Sequence, residues 1–242
     1  MTLTGRLARV RDMVITLRRA GLIAPLRPDK YLRMITAMQR ENLSSTSGFA
    51  SAARRCPDRP GLIDELGMLT WRQLDQRSDA FAAALQALPG GTPAVVGIMC
   101  RNHRGFIEAL VAANRIGADV LLLNTSFAGP ALADVVAREG PDVVVYDEEF
   151  TVMVDQALTG RPDVTRIIAW ADTPGPGAVT VENMITVHGG HRPARPRRKS
   201  KLILLTSGTT GTPKGAKRSG GGPGELAAVL KRTPWRAEET VV

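Results

Sequence analysis

The chain has 242 residues, 43% of them hydrophobic, with aromatic residues at 4% and 32 Lys/Arg against 23 Asp/Glu for a net charge of +9. That length suits one large domain or two small ones, and that apolar share buries a core, which excludes an intrinsically disordered chain. No apolar run approaches the ~20 residues a bilayer demands, no h-region follows the basic start, and so few aromatics argue against a base-stacking nucleic-acid binder.

Residues 1–40 carry nine basic and two acidic side chains. Leu7, Val10, Met13, Val14 and Leu17 recur at helical spacing among arginines, which predicts a helix. Pro25 and Pro28 are expected to break it, with a second helix over 30–40. A basic amphipathic helix has two destinations, an anionic membrane surface or its own domain, and the sequence leaves both open. We take 1–43 as a basic helical extension and 44–242 as the main domain.

From Ser44 the balance turns acidic, with eleven basic and eighteen acidic residues over 41–187. Ser44 or Ser47 is expected to cap a helix ending at Arg55, and 61–64 with 68–70 reads as a short hairpin. Thr70 caps a helix that turns Leu74, Ser78, Phe81, Ala82, Leu85 and Leu88 to one side, stopped by Pro89-Gly90-Gly91. Strands are expected at 94–99, 120–123, 142–146 and 166–170. Helices are expected at 106–115, 129–138 and 151–158. Continuous apolar strands alternating with helices predict an α/β fold, a mostly parallel sheet flanked by helices on both faces. Cys56 and Cys100 lie far apart without CxxC spacing and read as two reduced thiols. Residues 171–200 read as an irregular connector rich in Pro, Gly and Arg. Its His188 and His191 have no acidic or Cys neighbour in sequence, which argues against a metal pair.

Nine basic residues and no acid fill 188–218. Within that stretch a strand over 201–205 runs into Thr206-Ser207-Gly208-Thr209-Thr210-Gly211-Thr212-Pro213-Lys214-Gly215. Gly208, Gly211 and Gly215 permit positive φ and close approach of backbone N–H groups to a ligand. The hydroxyls of Thr206, Ser207, Thr209 and Thr210 can donate to phosphate oxygens, and Lys214 brings a mobile positive charge. Successive N–H groups in such a turn make an anion-binding nest. The pattern is not a Walker A loop, because Pro213 precedes the lysine and Gly215 follows it. We expect an exposed hairpin turn at the end of the 201–205 strand.

The decapeptide resembles the phosphate-binding loop of the adenylate-forming (AMP-binding) superfamily, whose pattern is [ST]SGTTGxPKG. Further likenesses lie at Leu69–Leu74, Gly97–Asn102, Gly117–Val120 and Leu123–Phe127, the last similar to bacterial fatty acyl-CoA synthetases. Together they span roughly 44–216. The resemblance implies ATP-dependent activation of a carboxylate to an acyl-adenylate, then thioester formation with coenzyme A. It implies ATP-phosphate binding by Thr206, Ser207, Gly208, Thr209, Thr210, Gly211, Lys214 and Gly215, and Mg2+ ligation by Thr206. Its partners would be ATP, a carboxylic acid and CoA, with no nucleic acid, in a cytoplasmic setting that leaves membrane contact through 1–40 open. The family's later motifs, including its catalytic lysine, do not follow Gly215, so a truncated chain that is inactive alone is expected. A non-catalytic α/β remnant that keeps the loop is the alternative. The tail from Pro223 reads as a helix bearing Leu226, Val229 and Leu230, with Thr240-Val241-Val242 as a strand opening.

Overall fold

The computed structural model describes residues 3–19, 25–42, 44, 46–206 and 214–218. The expected loop segment 207–213, the helix from Pro223 and the strand opening at 240–242 lie outside these residues. The chain divides into two compact units, one of residues 1–31 with 220–242 and one of residues 32–219. In the first unit, α1 (Leu3–Arg19) leaves Val10, Val14 and Ile15 exposed. The next helix, α2 (Pro28–Arg40), lies mostly in the larger unit, where it buries Met34 and Ala37. Pro28 opens this helix rather than breaking one, because the first helical position needs no N–H and suits the fixed φ of proline. No helix among the described residues is long and apolar enough to cross a membrane.

In the larger unit, α3 (Ser47–Arg55) is preceded by Thr46, which makes no side-chain cap. The expected capping serine does otherwise: the Ser44 hydroxyl bonds those of Thr46 and Ser47. The antiparallel hairpin of β1 (Pro60–Asp64) and β2 (Gly67–Thr70) follows. Thr70 then starts α4 (Trp71–Gln86) with a full capping box, its hydroxyl accepting from the Gln73 N–H while Gln73 Oε1 accepts from the Thr70 N–H.

The alternating units come next: β3 (Val95–Met99), α5 (Arg104–Ile116), β4 (Asp119–Leu122), α6 (Gly129–Glu139), β5 (Val143–Asp147), α7 (Thr151–Ala157) and β6 (Thr165–Trp170). One helix was not expected. α8 (Val181–Val187) lies inside the presumed connector, with Thr180 accepting from the Asn183 N–H and with Val181 and Ile185 buried one turn apart. Then come β7 (Leu202–Thr206) and β8 (Lys214–Arg218). The sheet order is β6-β5-β3-β4-β7-β8, with the first five strands parallel and β8 antiparallel to β7.

Why the strands are apolar throughout is visible in the packing. Val143 and Val145 point to the core shared with α4, α5 and α8, around Phe81, Leu85, Ala112 and Ile185. Their neighbours Val144 and Tyr146 point to the opposite core, under α6 and α7, with Leu132, Val135 and Val154. A strand covered on both faces has no solvent side, so the period-two alternation of polarity disappears.

Candidate functional site

In a parallel sheet the loops at the carboxyl ends of the strands gather at one edge, and open α/β folds bind ligands there. β7 pairs with β4 in the register Val120↔Leu202, Leu121↔Ile203 and Leu122↔Leu204. It delivers Thr206 to that edge. β8 returns antiparallel, with Thr206 opposite Lys214 and Leu205 opposite Gly215. The expected turn is therefore closed by strand pairing at both ends, and Lys214 and Gly215 belong to β8 rather than to the turn. Of Thr206, Lys214 and Gly215 the backbone is described. Ser207, Gly208, Thr209, Thr210 and Gly211 lie outside the described residues.

The neighbouring carboxyl-edge turns are well formed. After β4, Asn124 Oδ1 accepts from the Ser126 N–H at 2.9 Å, a tight Asx turn. After β3, a buried knot ties the strand exits together. Asp147, at the end of β5, accepts from the Arg101 N–H at 2.7 Å and contacts His103 Nε2 at 2.8 Å. His103 Nδ1 accepts from the Gly105 N–H at 3.0 Å and so caps α5. The Trp170 ring of β6 lies 4.9 Å from the His103 ring. Arg101 reaches outward to pair with Glu149 at 2.8 Å.

Cys100 completes the knot, and the ligand atoms of Cys100, His103 and Asp147 all lie within 4.8 Å of one another. A thiol, an imidazole and a carboxylate suit a zinc-type ion by chemistry. The hydrogen bonds assign another role. Because Nδ1 accepts from Gly105, the ring proton sits on Nε2 and is donated to Asp147, so neither nitrogen presents a lone pair to the centre. Burial, reinforced by the Asp147 charge, pushes the Cys100 thiol well up, away from the thiolate form. The trio is a structural buckle that holds β3, β5 and α5 in place at the edge where β7 also ends. Sequence reasoning passed over it. The Cys100-x-x-His103 spacing was a signal within reach, whereas Asp147 joins only through β3–β5 pairing.

His188 and His191 lie 6.1 Å apart, centroid to centroid, and each Nδ1 contacts a backbone carbonyl oxygen, Met184 O and His188 O respectively.

Comparison with known proteins follows the same line. The AMP-binding enzyme family matches residues 49–237. An indoleacetate–CoA ligase of Aromatoleum aromaticum is 31% identical over 63% of this chain and 30% of its own length. A medium/long-chain-fatty-acid–CoA/3-oxocholest-4-en-26-oate–CoA ligase of Mycolicibacterium smegmatis is 27% identical over 66% of this chain and 30% of its own. The chain thus spans about 30% of the length of these relatives. Among solved structures, a benzoate CoA ligase of Burkholderia xenovorans superposes with a TM-score of 0.59 at 18% identity, covering 76% of this chain and 34% of that one. A protein of Rhodopseudomonas palustris assigned as a long-chain-fatty-acid CoA ligase gives 0.62 at 24% identity, covering 73% and 44%. At these identities the likeness is one of fold.

Proposed function

The chain belongs to the AMP-binding enzyme family, and from that premise we propose that it forms the front part of an ATP-dependent acyl-CoA ligase whose phosphate loop is Thr206–Gly215. In the reaction assigned, a carboxylate oxygen attacks the α-phosphorus of ATP and the bond to the β-phosphate breaks, releasing pyrophosphate. The thiolate of CoA then attacks the acyl carbonyl and AMP leaves. Charge grows on the departing pyrophosphate, so the chemistry needs preorganised N–H groups and a cation beside it. The observation that carries the reading is the register Thr206↔Lys214. It holds the ends of a Gly- and hydroxyl-rich loop together at the carboxyl edge of a parallel sheet.

Mg2+ fits the donor set only in a limited way. The loop holds hydroxyls and no carboxylate, and Mg2+ typically keeps waters and takes substrate phosphate oxygens with few protein ligands. Thr206 is the residue we assign to it, and the ion would neutralise phosphate charge there. For the acid, the stretch Asn124–Phe127 and the M. smegmatis relative favour a fatty acid, while the A. aromaticum relative keeps an aryl-acetic acid as the rival.

Titration of MgATP into the purified chain tests the loop. Lys214→Ala removes one charge-assisted contact, worth about 1.5–3 kcal/mol, or roughly ten- to a hundredfold in affinity. Unchanged affinity in Lys214→Ala, Thr209→Val and Gly211→Val would leave the loop a mere turn. Residues 1–242 span about 30% of their relatives' length, so we expect no acyl-CoA formation from them alone. Thioester synthesis by the chain would refute that, and absent MgATP binding would favour the remnant reading.

A further inference from the structure

Three arginine-bearing segments spread along the sequence meet on one side of the 32–219 unit. α2 offers Arg33, Thr36 and Arg40, which helical spacing places on one face. α3 contributes Arg54, and the connector after α8 contributes Arg192. With Leu32 and Ala37 they line an open cavity of about 420 Å3 that has no carboxylate in its wall.

The acids lie one layer deeper. Asp75 holds Arg54 Nη1 at 3.1 Å, and Asp79 holds Arg192 Nε at 3.5 Å. Glu41, Asp75 and Asp79 all pair with the buried Arg115. Across the two layers Arg40, Arg54, Arg115 and Arg192 face three carboxylates, which leaves positive charge in excess at the mouth. The acids also tether two guanidinium groups through one nitrogen each. A guanidinium carries five N–H donors in a rigid fork, so tethering leaves donors to spare and reduces the ordering a ligand must impose.

This cavity is not the nucleotide loop seen from another side. Arg115 sits in the last turn of α5, which leads into the amino end of β4. The same connector bonds Asp119 and the Ala94 carbonyl, at the starts of β4 and β3, through Arg198. The cavity therefore belongs to the amino edge of the sheet, a strand length of about 16 Å from the edge where Thr206 emerges.

The geometry points to a second anion site, in which Arg40, Arg54 and Arg192 take a phosphoryl group from either a free phosphorylated metabolite or a phospholipid headgroup. Arginine forks match phosphate oxygens bidentately. Beside the cavity, Leu32 and Ile35 are 67% and 51% exposed and form an apolar shoulder suited to the second source.

Two arms test this on the full chain. Inorganic pyrophosphate is titrated in by calorimetry at low salt, and vesicles of phosphatidylglycerol or of phosphatidylcholine are sedimented with the protein. Arg40→Gln is the main variant, because among the described residues Arg40 is exposed and enters no ion pair, so the fold is spared. Arg192→Gln is the second, and Lys214→Ala separates this site from the nucleotide loop. Circular dichroism verifies that each variant is folded. Pyrophosphate affinity that falls about tenfold or more in both arginine variants and holds in Lys214→Ala supports the site with a free phosphate as its ligand. Binding to phosphatidylglycerol but not phosphatidylcholine, lost in the same two variants, supports it with a headgroup as its ligand. No binding in either arm, binding that survives both arginine substitutions, or binding lost only in Lys214→Ala overturns it.

Discussion

Replacing Arg115 by leucine is the most informative perturbation of the fold, because that side chain is 4% exposed and neutralises three acids at once. It bonds Glu41 at 2.8 Å, Asp75 at 2.5 Å and Asp79 at 2.9 Å, and donates to the Asp75 carbonyl at 2.7 Å. In Arg115→Leu, Asp75 retains Arg54 and Asp79 retains Arg192. Among the described residues Glu41 has no second cation beside Arg115, and its Oε2 is already buried without a hydrogen-bond partner. Burial raises the Glu41 carboxyl above 4.5, against the lowering effect of Arg115, so losing Arg115 raises it further. The cheapest relief is for Glu41 to take up a proton. From the ordinary value of 4.5, holding that proton at about pH 7 costs at most about 3.4 kcal/mol, and about 0.7 kcal/mol at pH 5. The sign follows from linkage. A carboxyl raised in the folded state favours folding below its unfolded value, and that contribution is lost as pH rises through the folded one. Breaking a buried pair generally costs about 3–5 kcal/mol. We therefore expect Arg115→Leu to lose about that much at pH 7 and to recover at most about 2.7 kcal/mol of the deficit at pH 5, less what the already raised Glu41 of the unsubstituted protein gains over the same window. Urea unfolding of both proteins at the two pH values measures it. A deficit under about 1 kcal/mol at pH 7, or one that does not shrink at pH 5, would refute the argument.

Two further outcomes are expected. Gly117 ends α5 at φ +80, and a Cβ there would lie 2.7 Å from the Arg198 carbonyl oxygen. Gly117→Ala should cost about 1–2 kcal/mol from the left-handed backbone alone and more from the clash, read as a lower urea midpoint, and a neutral result would mean the connector yields freely. Asp147→Asn turns one of two acceptors into a donor facing either the Arg101 N–H or the His103 Nε2–H. A loss of about 1.5–3 kcal/mol is expected, together with faster amide exchange at Arg101 and Gly105, and unchanged exchange would dissolve the buckle.

The alternation of apolar strands with helices is a local pattern, and it sufficed to predict β3, β4, β5 and β6 and the mainly parallel sheet they form. The Thr206–Gly215 motif was legible for a similar reason, since its glycines, hydroxyls and lysine act within ten consecutive residues. α8 escaped because its Thr180 cap and its pair Val181 and Ile185 fill barely two turns amid loop-forming neighbours, and it is packing under α4 that makes those two turns a helix. The strand order was likewise a matter of the folded chain, because local periodicity carries no information on which strand crosses over which. The same holds for side chains that meet across large gaps in sequence. Cys100 and His103 join Asp147 only once β3 lies beside β5. Arg40, Arg54 and Arg192 converge only once α2, α3 and the connector are folded against the buried Arg115. Sequence alone determined what each segment prefers to be, and tertiary structure decided which charges face each other, because burial and ion pairing depend on neighbours in space rather than along the chain.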